Sequence, residues 1–128
     1  MLAGRWPVRL HRRRPAAPQP EYIHPAILEF GKVVHLPDAA QQPRPDSRIV
    51  VDLTQGGEPG KLNAGLEKVC RFVNIYAGAG ARPARVDIVV VLHGDATLIA
   101  LSDEAYATRF QTAANPSLTC LRELRKAG

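Results

Sequence analysis

The chain has 128 residues, 45% hydrophobic and 23% charged, a composition that suits one soluble globular domain. Its formal net charge of +5 is confined to the first 20 residues, which hold five arginines and no acid, so the other 108 carry twelve basic and twelve acidic side chains. That balance excludes a duplex-binding face, which needs clustered cations to neutralise several phosphates, and no aliphatic run approaches the ~20 residues of a membrane span.

Residues 1–20 place Arg5, Arg9 and Arg12-Arg13-Arg14 before Pro15-Ala16-Ala17-Pro18-Gln19-Pro20. They read as a disordered basic tail, because little in them could be buried to offset the entropy of ordering. The apolar stretch that follows the basic residues of an export signal is absent, so the chain by itself points to the cytoplasm. Residues 21–48 read as an extended arm with one short edge strand at Lys32 to Leu36, since proline and glycine interrupt any helical period.

Residues 49–128 read as an α/β domain. Ile49 to Thr54 and Val86 to Leu92 are short, β-branched and almost continuously apolar, as strands of a parallel sheet covered on both faces tend to be. Between them Leu62, Leu66, Val69, Val73 and Tyr76 recur at helical spacing. Pro59 suits the first turn of that helix, and Gly78 and Gly80 suit its end. The unit is a right-handed βαβ crossover, the hand that such connections take. Ser102 then caps a short helix with acids in its first turn and a Tyr106–Phe110 pair. Asn115-Pro116 opens a last one, with Leu118, Leu121 and Leu124 inward. Two parallel strands make a meagre sheet, so the expected fold is three-layer α/β, incomplete at its C-terminus, with cover from a missing strand or a partner subunit.

Ligands of open α/β sheets bind beyond the carboxyl ends of the strands, here Thr54-Gln55-Gly56-Gly57 and His93-Gly94-Asp95. The glycines permit close approach of a ligand, or else make a tight strand-to-helix turn. His93 could act as a base or hold an anion, or it could simply bond a loop carbonyl. A Walker phosphate loop fails, since Gln55 and Leu62 stand where Gly and Ser or Thr are required, and the dinucleotide fingerprint spacing is absent. Asn63, Glu67, Arg71 and Asn74 form a polar stripe on the crossover helix, flanked by Phe72 and Ile75. The stripe is either a solvated face or a subunit contact. Cys70 and Cys120, 50 positions apart, have no metal or thioredoxin-type spacing and read as buried, inert thiols. No metal and no cofactor is expected.

Taken together, Val51-Asp52-Leu53-Thr54-Gln55-Gly56-Gly57, Gly65-Leu66-Glu67 with Arg71-Phe72-Val73-Asn74, His93-Gly94-Asp95-Ala96-Thr97, Asp103-Glu104-Ala105-Tyr106 and Asn115-Pro116 resemble the DsrE/DsrF-like family over residues 24–128. The arm Gly31 to Ala40 is similar to the lead-in of exported members, which implies a periplasmic setting although no export signal precedes it. The resemblance implies a small α/β domain that associates into trimers or hexamers, with a persulfide-carrying cysteine in the sulfur-relay members. That cysteine lies in the strand after the helix that here ends at Lys126, so neither Cys120 nor Cys70 matches it, and the sequence is expected to be truncated before its last strand. The expectation is therefore an accessory domain that binds a small ligand or partner at Thr54, Gln55, Gly56, Gly57, His93, Gly94 and Asp95 without turnover. The alternatives are a sulfur-relay protein, with the persulfide on Cys120, Cys70 or a cysteine beyond Gly128, and a structural subunit of a homo-oligomer.

Overall fold

The computed structural model describes residues 14–79 and 84–128. Most of the tail expected over 1–20 lies outside them, as does the Gly80 stop signal; residues 14–20 are exposed and without regular structure. Strands β1 (Tyr22–Ile23) and β2 (Val33–Val34) pair antiparallel within the arm. Strands β3 (Ser47–Leu53) and β4 (Val86–Leu92) pair in parallel in a separate two-stranded sheet, in register from Ser47 opposite Val86 to Leu53 opposite Leu92. Helix α1 (Ala64–Ala77) connects them, and a 3₁₀ segment (Gly94–Ala100), α2 (Asp103–Phe110) and α3 (Leu118–Ala127) follow. The chain is thus mixed α/β, with a βαβ unit at its centre.

The strands alternate instead of being covered on both faces. Ile49, Val51 and Leu53 are half-buried, whereas Arg48, Val50 and Asp52 are exposed. The paired Val50 and Val89 keep 73% and 57% of their surface in solvent. A continuous β-branched run therefore does not here mean two covered faces. The helices lie against the inner face, where Leu53, Leu92, Leu121 and Leu124 pack on a core of Ile27, Leu66, Cys70, Ile99 and Cys120.

Ile27 belongs to the arm, so the arm is part of the core. Two of its backbone segments, 26–27 and 30–31, close on Asn74 of α1, whose side chain is fully buried. Asn74 Oδ1 accepts from the N–H groups of Ala26 (2.9 Å) and Ile27 (2.8 Å). Its Nδ2 donates to the carbonyls of Ile27, Phe30 and Gly31 at 3.1, 2.9 and 2.9 Å. Gly31 has φ +66°, and a Cβ there would stand 2.3 Å from the Arg71 backbone nitrogen. No other residue could bring the arm so close to the helix.

Helix α1 starts at Ala64, five residues after Pro59. Gly57 and Gly60 have φ of +77° and +80°, which keeps residues 54–62 out of the helix, and Asn63 caps it by accepting from Leu66 N–H at 3.0 Å. The 3₁₀ segment was not foreseen from the sequence, where Ala96 to Leu101 is merely an aliphatic run. It follows β4 because Gly94 takes φ +52°, and it sends Ala96 and Ile99 into the interior. At the start of α3, Asn115, expected as the cap, stands two residues before the N-cap position, which Ser117 takes. Its Oδ1 accepts from Ser117 N–H at 3.0 Å, and its Nδ2 donates to the carbonyls of Ile99 and Leu101 at 2.8 Å each. Leu118, Leu121 and Leu124 are half-buried, and Cys120 between them is the residue fully enclosed.

Candidate functional site

The parallel register brings the two strand tips together. His93 N–H donates to Leu53 O at 2.8 Å, extending the ladder by one step beyond β4. The chain then leaves β3 through Thr54-Gln55-Gly56-Gly57 and β4 through Gly94-Asp95. A Cβ on Gly56 would meet the Asp95 carbonyl oxygen at 2.8 Å, so the loops touch backbone to backbone at that glycine. Asn63 fixes the first loop from the other side: its Nδ2 donates to Gln55 O at 2.8 Å, and its backbone N–H donates to Ser117 Oγ at 3.1 Å.

Beside this junction lies a cleft of about 440 Å³. Thr54, Gln55, Gly56, Gly57 and Asp95 line one side of it, Leu98 and Ile99 of the 3₁₀ segment another, and Tyr106, Arg109 and Phe110 of α2 a third. Tyr106 is buried, accepts from Gly60 N–H at 3.2 Å, and packs on Phe110 with ring centroids 4.5 Å apart at 47°. The Arg109 guanidinium sits over the Phe110 ring at 5.6 Å. The cleft therefore combines an apolar wall, one carboxylate and one exposed cation on an aromatic plate.

Five of the seven residues expected at a ligand site, Thr54, Gln55, Gly56, Gly57 and Asp95, line this cleft. His93 and Gly94 do not. The His93 ring turns to Asp52 of the neighbouring strand, with Nδ1 3.0 Å from Oδ1 and both side chains more than half exposed. Tyr106, Arg109 and Phe110 complete the cleft. The sequence showed Tyr106 and Phe110 as a helical pair, but nothing in the spacing of α2 told which way the pair would face.

The polar stripe of α1 is only partly available to a second molecule. Asn63 and Asn74 are buried within the chain. Glu67 receives Gly31 N–H on Oε1 at 3.3 Å and pairs through Oε2 with Arg71 at 3.3 Å. The arm thus occupies what read as a solvated face or a subunit contact, because a helix face shows its polarity in sequence but not what covers it. Phe72 and Ile75 remain exposed, each at 38%.

A larger groove of about 550 Å³ runs between the arm and the end of α1, lined by Tyr22, Val34, Leu36 and Ile75 among others. In it Lys32 lies over the Tyr22 ring at 4.4 Å, Arg71 pairs with Glu67, and His35 Nδ1 is 3.0 Å from Gly78 O. The smaller cleft is the better candidate, because both strand-tip loops converge on it and the exposed Arg109, stacked on Phe110, lines it.

Cys70 and Cys120 meet in the core, Sγ to Sγ, at 2.7 Å. The hydrogen bond shared by the two sulfurs lowers the Cys70 pKa and raises that of Cys120, and burial adds to the rise at Cys120. Among the described residues no three His, Cys, Asp or Glu side chains are grouped to hold a metal ion, and no helix is long and apolar enough to cross a membrane. Comparison with family models, with curated proteins and with solved structures returned no match.

Proposed function

We propose that this chain is a DsrE-like accessory domain that binds a small organic ligand in the strand-tip cleft and does not turn it over. One observation carries the reading: β3 and β4 run parallel and in register to Leu53 and Leu92, so the Gln55-Gly56-Gly57 loop and Asp95 converge on one cavity, as strand tips of ligand-binding α/β sheets do. The chemistry of the lining favours a ligand with an anionic group for Arg109 and an apolar body for Leu98, Ile99 and Phe110.

A test is a titration with small carboxylates, benzoate first, followed by backbone amide resonances. Shifts should concentrate in residues 54–57, 95–99 and 106–110 and shrink at least fivefold in Arg109→Ala. Shifts confined to the arm groove, or none at millimolar probe, would move the site elsewhere.

A persulfide on Cys120 or Cys70, one form of the sulfur-relay alternative, is disfavoured by the full burial of both, because a carrier thiol must meet its donor and acceptor. Incubation with a persulfide donor should leave the intact mass unchanged. An adduct of about 32 Da, one sulfur atom, would reverse that order.

The same reading includes self-association through the bare outer face of the β3–β4 sheet, with a second copy as the occupant and the third layer of the fold. Arg48 and Asp52 stand equally far from Val50 and carry opposite charges, so two copies stacked with strands antiparallel place each Arg48 against the other's Asp52 and Val50 on Val50, as an isologous interface requires.

A further inference from the structure

Cys70 and Cys120 stand on different helices, α1 and α3, and come within 2.7 Å of one another in a core otherwise built from Ile27, Leu66 and Ile99. That separation is within about 1 Å of the ~2.05 Å of a sulfur–sulfur bond. Both thiols are fully buried, and the sequence contains no third cysteine to compete, so within one chain they have a single pairing.

We propose that Cys70 and Cys120 are a disulfide-forming pair that staples α1 to α3, oxidised by a small external disulfide of the glutathione type. The Cys70 thiolate attacks one sulfur of the oxidant, whose own S–S bond breaks and releases one thiolate. Cys120 then loses its proton to that thiolate and attacks the Cys70 sulfur of the mixed disulfide, expelling the second. Two protein thiols lose two hydrogens and two electrons, and the oxidant becomes two thiols.

The exchange takes place while the chain folds, before the core closes over both sulfurs. The bond then encloses Cys70 to Cys120, a loop that holds β4, the 3₁₀ segment and α2. All three line or support the strand-tip cleft, so the staple would fix the cleft's far wall. The proposal does not depend on what the cleft binds.

The test refolds the chain from urea in equimolar reduced and oxidised glutathione, with a parallel sample in excess dithiothreitol. The expected product is a single chain two hydrogens lighter than the reduced sample, with one tryptic species joining the Cys70 and Cys120 peptides. Its thermal midpoint should exceed that of the reduced chain by roughly 5 °C or more, and dithiothreitol should abolish the difference. Two free thiols, glutathione adducts or intermolecular dimers as the main product would overturn the proposal, as would a cross-linked chain that melts below the reduced one. Cys120→Ala should show no midpoint difference between the two buffers. Should that variant fail to fold, the oxidised and reduced forms of the unaltered chain still decide.

Discussion

Asn74 spends its whole carboxamide on the arm: two N–H groups donate to its oxygen and three carbonyls accept from its nitrogen. Its full burial makes each of those bonds matter, since an unpaired buried polar group costs about 1–3 kcal/mol. Asn74→Ala should therefore destabilise the chain by roughly 3 kcal/mol or more in a urea melt. It should also remove hydrogen-exchange protection at Ala26 and Ile27 while leaving the β3–β4 ladder protected. Equal loss of protection in both regions would mean that Asn74 supports the whole core and not the arm alone. Asn63 and Asn115 play the same part at the other end of the molecule. Helical spacing, a local property, placed Asn74 on α1, whereas Asn63, expected on the same stripe, is the residue that caps the helix. It did not reveal that both are buried, because burial there depends on Gly31, Ile27 and Ser117, 43 to 54 positions away in pairing.

The elements differ in how far their own residues specify them. β4 at Val86–Leu92 and α2 behind Ser102 fall where β-branched runs and a capping hydroxyl place them. The start of α1 does not follow Pro59, because Gly60 at positive φ intervenes and Asn63 is the stronger cap. The arm was legible as extended chain with a short edge strand, yet its attachment rests on one backbone conformation at Gly31. Gly31→Ala puts a methyl group 2.3 Å from the α1 backbone at φ +66°, a clash with main chain that no side-chain rotation relieves. It should cost about 2–4 kcal/mol and make the segment between residues 24 and 44 the first site of limited proteolysis. An uncut arm in Gly31→Ala would show that Asn74 alone suffices to hold it. The α1–α3 staple acts at this scale too: closing a loop of some 50 residues is worth about 4 kcal/mol in the chain-entropy account, enough to offset either arm substitution.

For the molecule as a whole the outstanding feature is a two-stranded parallel sheet with one bare face. Parallel sheets occur almost always with both faces covered, and the inner face alone is covered by this chain's described helices. Val50 and Val89 form an apolar pair in register on the outer face, flanked by Arg48 and Asp87 in one direction and by Asp52 in the other. A charge placed at Val50 separates the two roles this face could have. If the face meets only water, Val50→Lys removes no packing, changes stability by no more than about 0.5 kcal/mol and leaves the sedimentation behaviour as it was. If a second copy covers it, two lysines are brought together on the twofold axis, buried and of like charge, and association fails. We expect the second result: the unaltered chain at tens of micromolar should sediment as an oligomer, and Val50→Lys as a folded monomer with an unchanged far-ultraviolet spectrum. Arg48→Asp should weaken association in the same way, and adding Asp52→Arg to it should restore association, since the exchanged pair is again complementary across the axis. An unaltered chain that sediments as a stable monomer would instead leave the sheet face bare and remove the oligomeric part of the functional reading, while the strand-tip cleft and the Cys70–Cys120 pair, both formed within one chain, would stand.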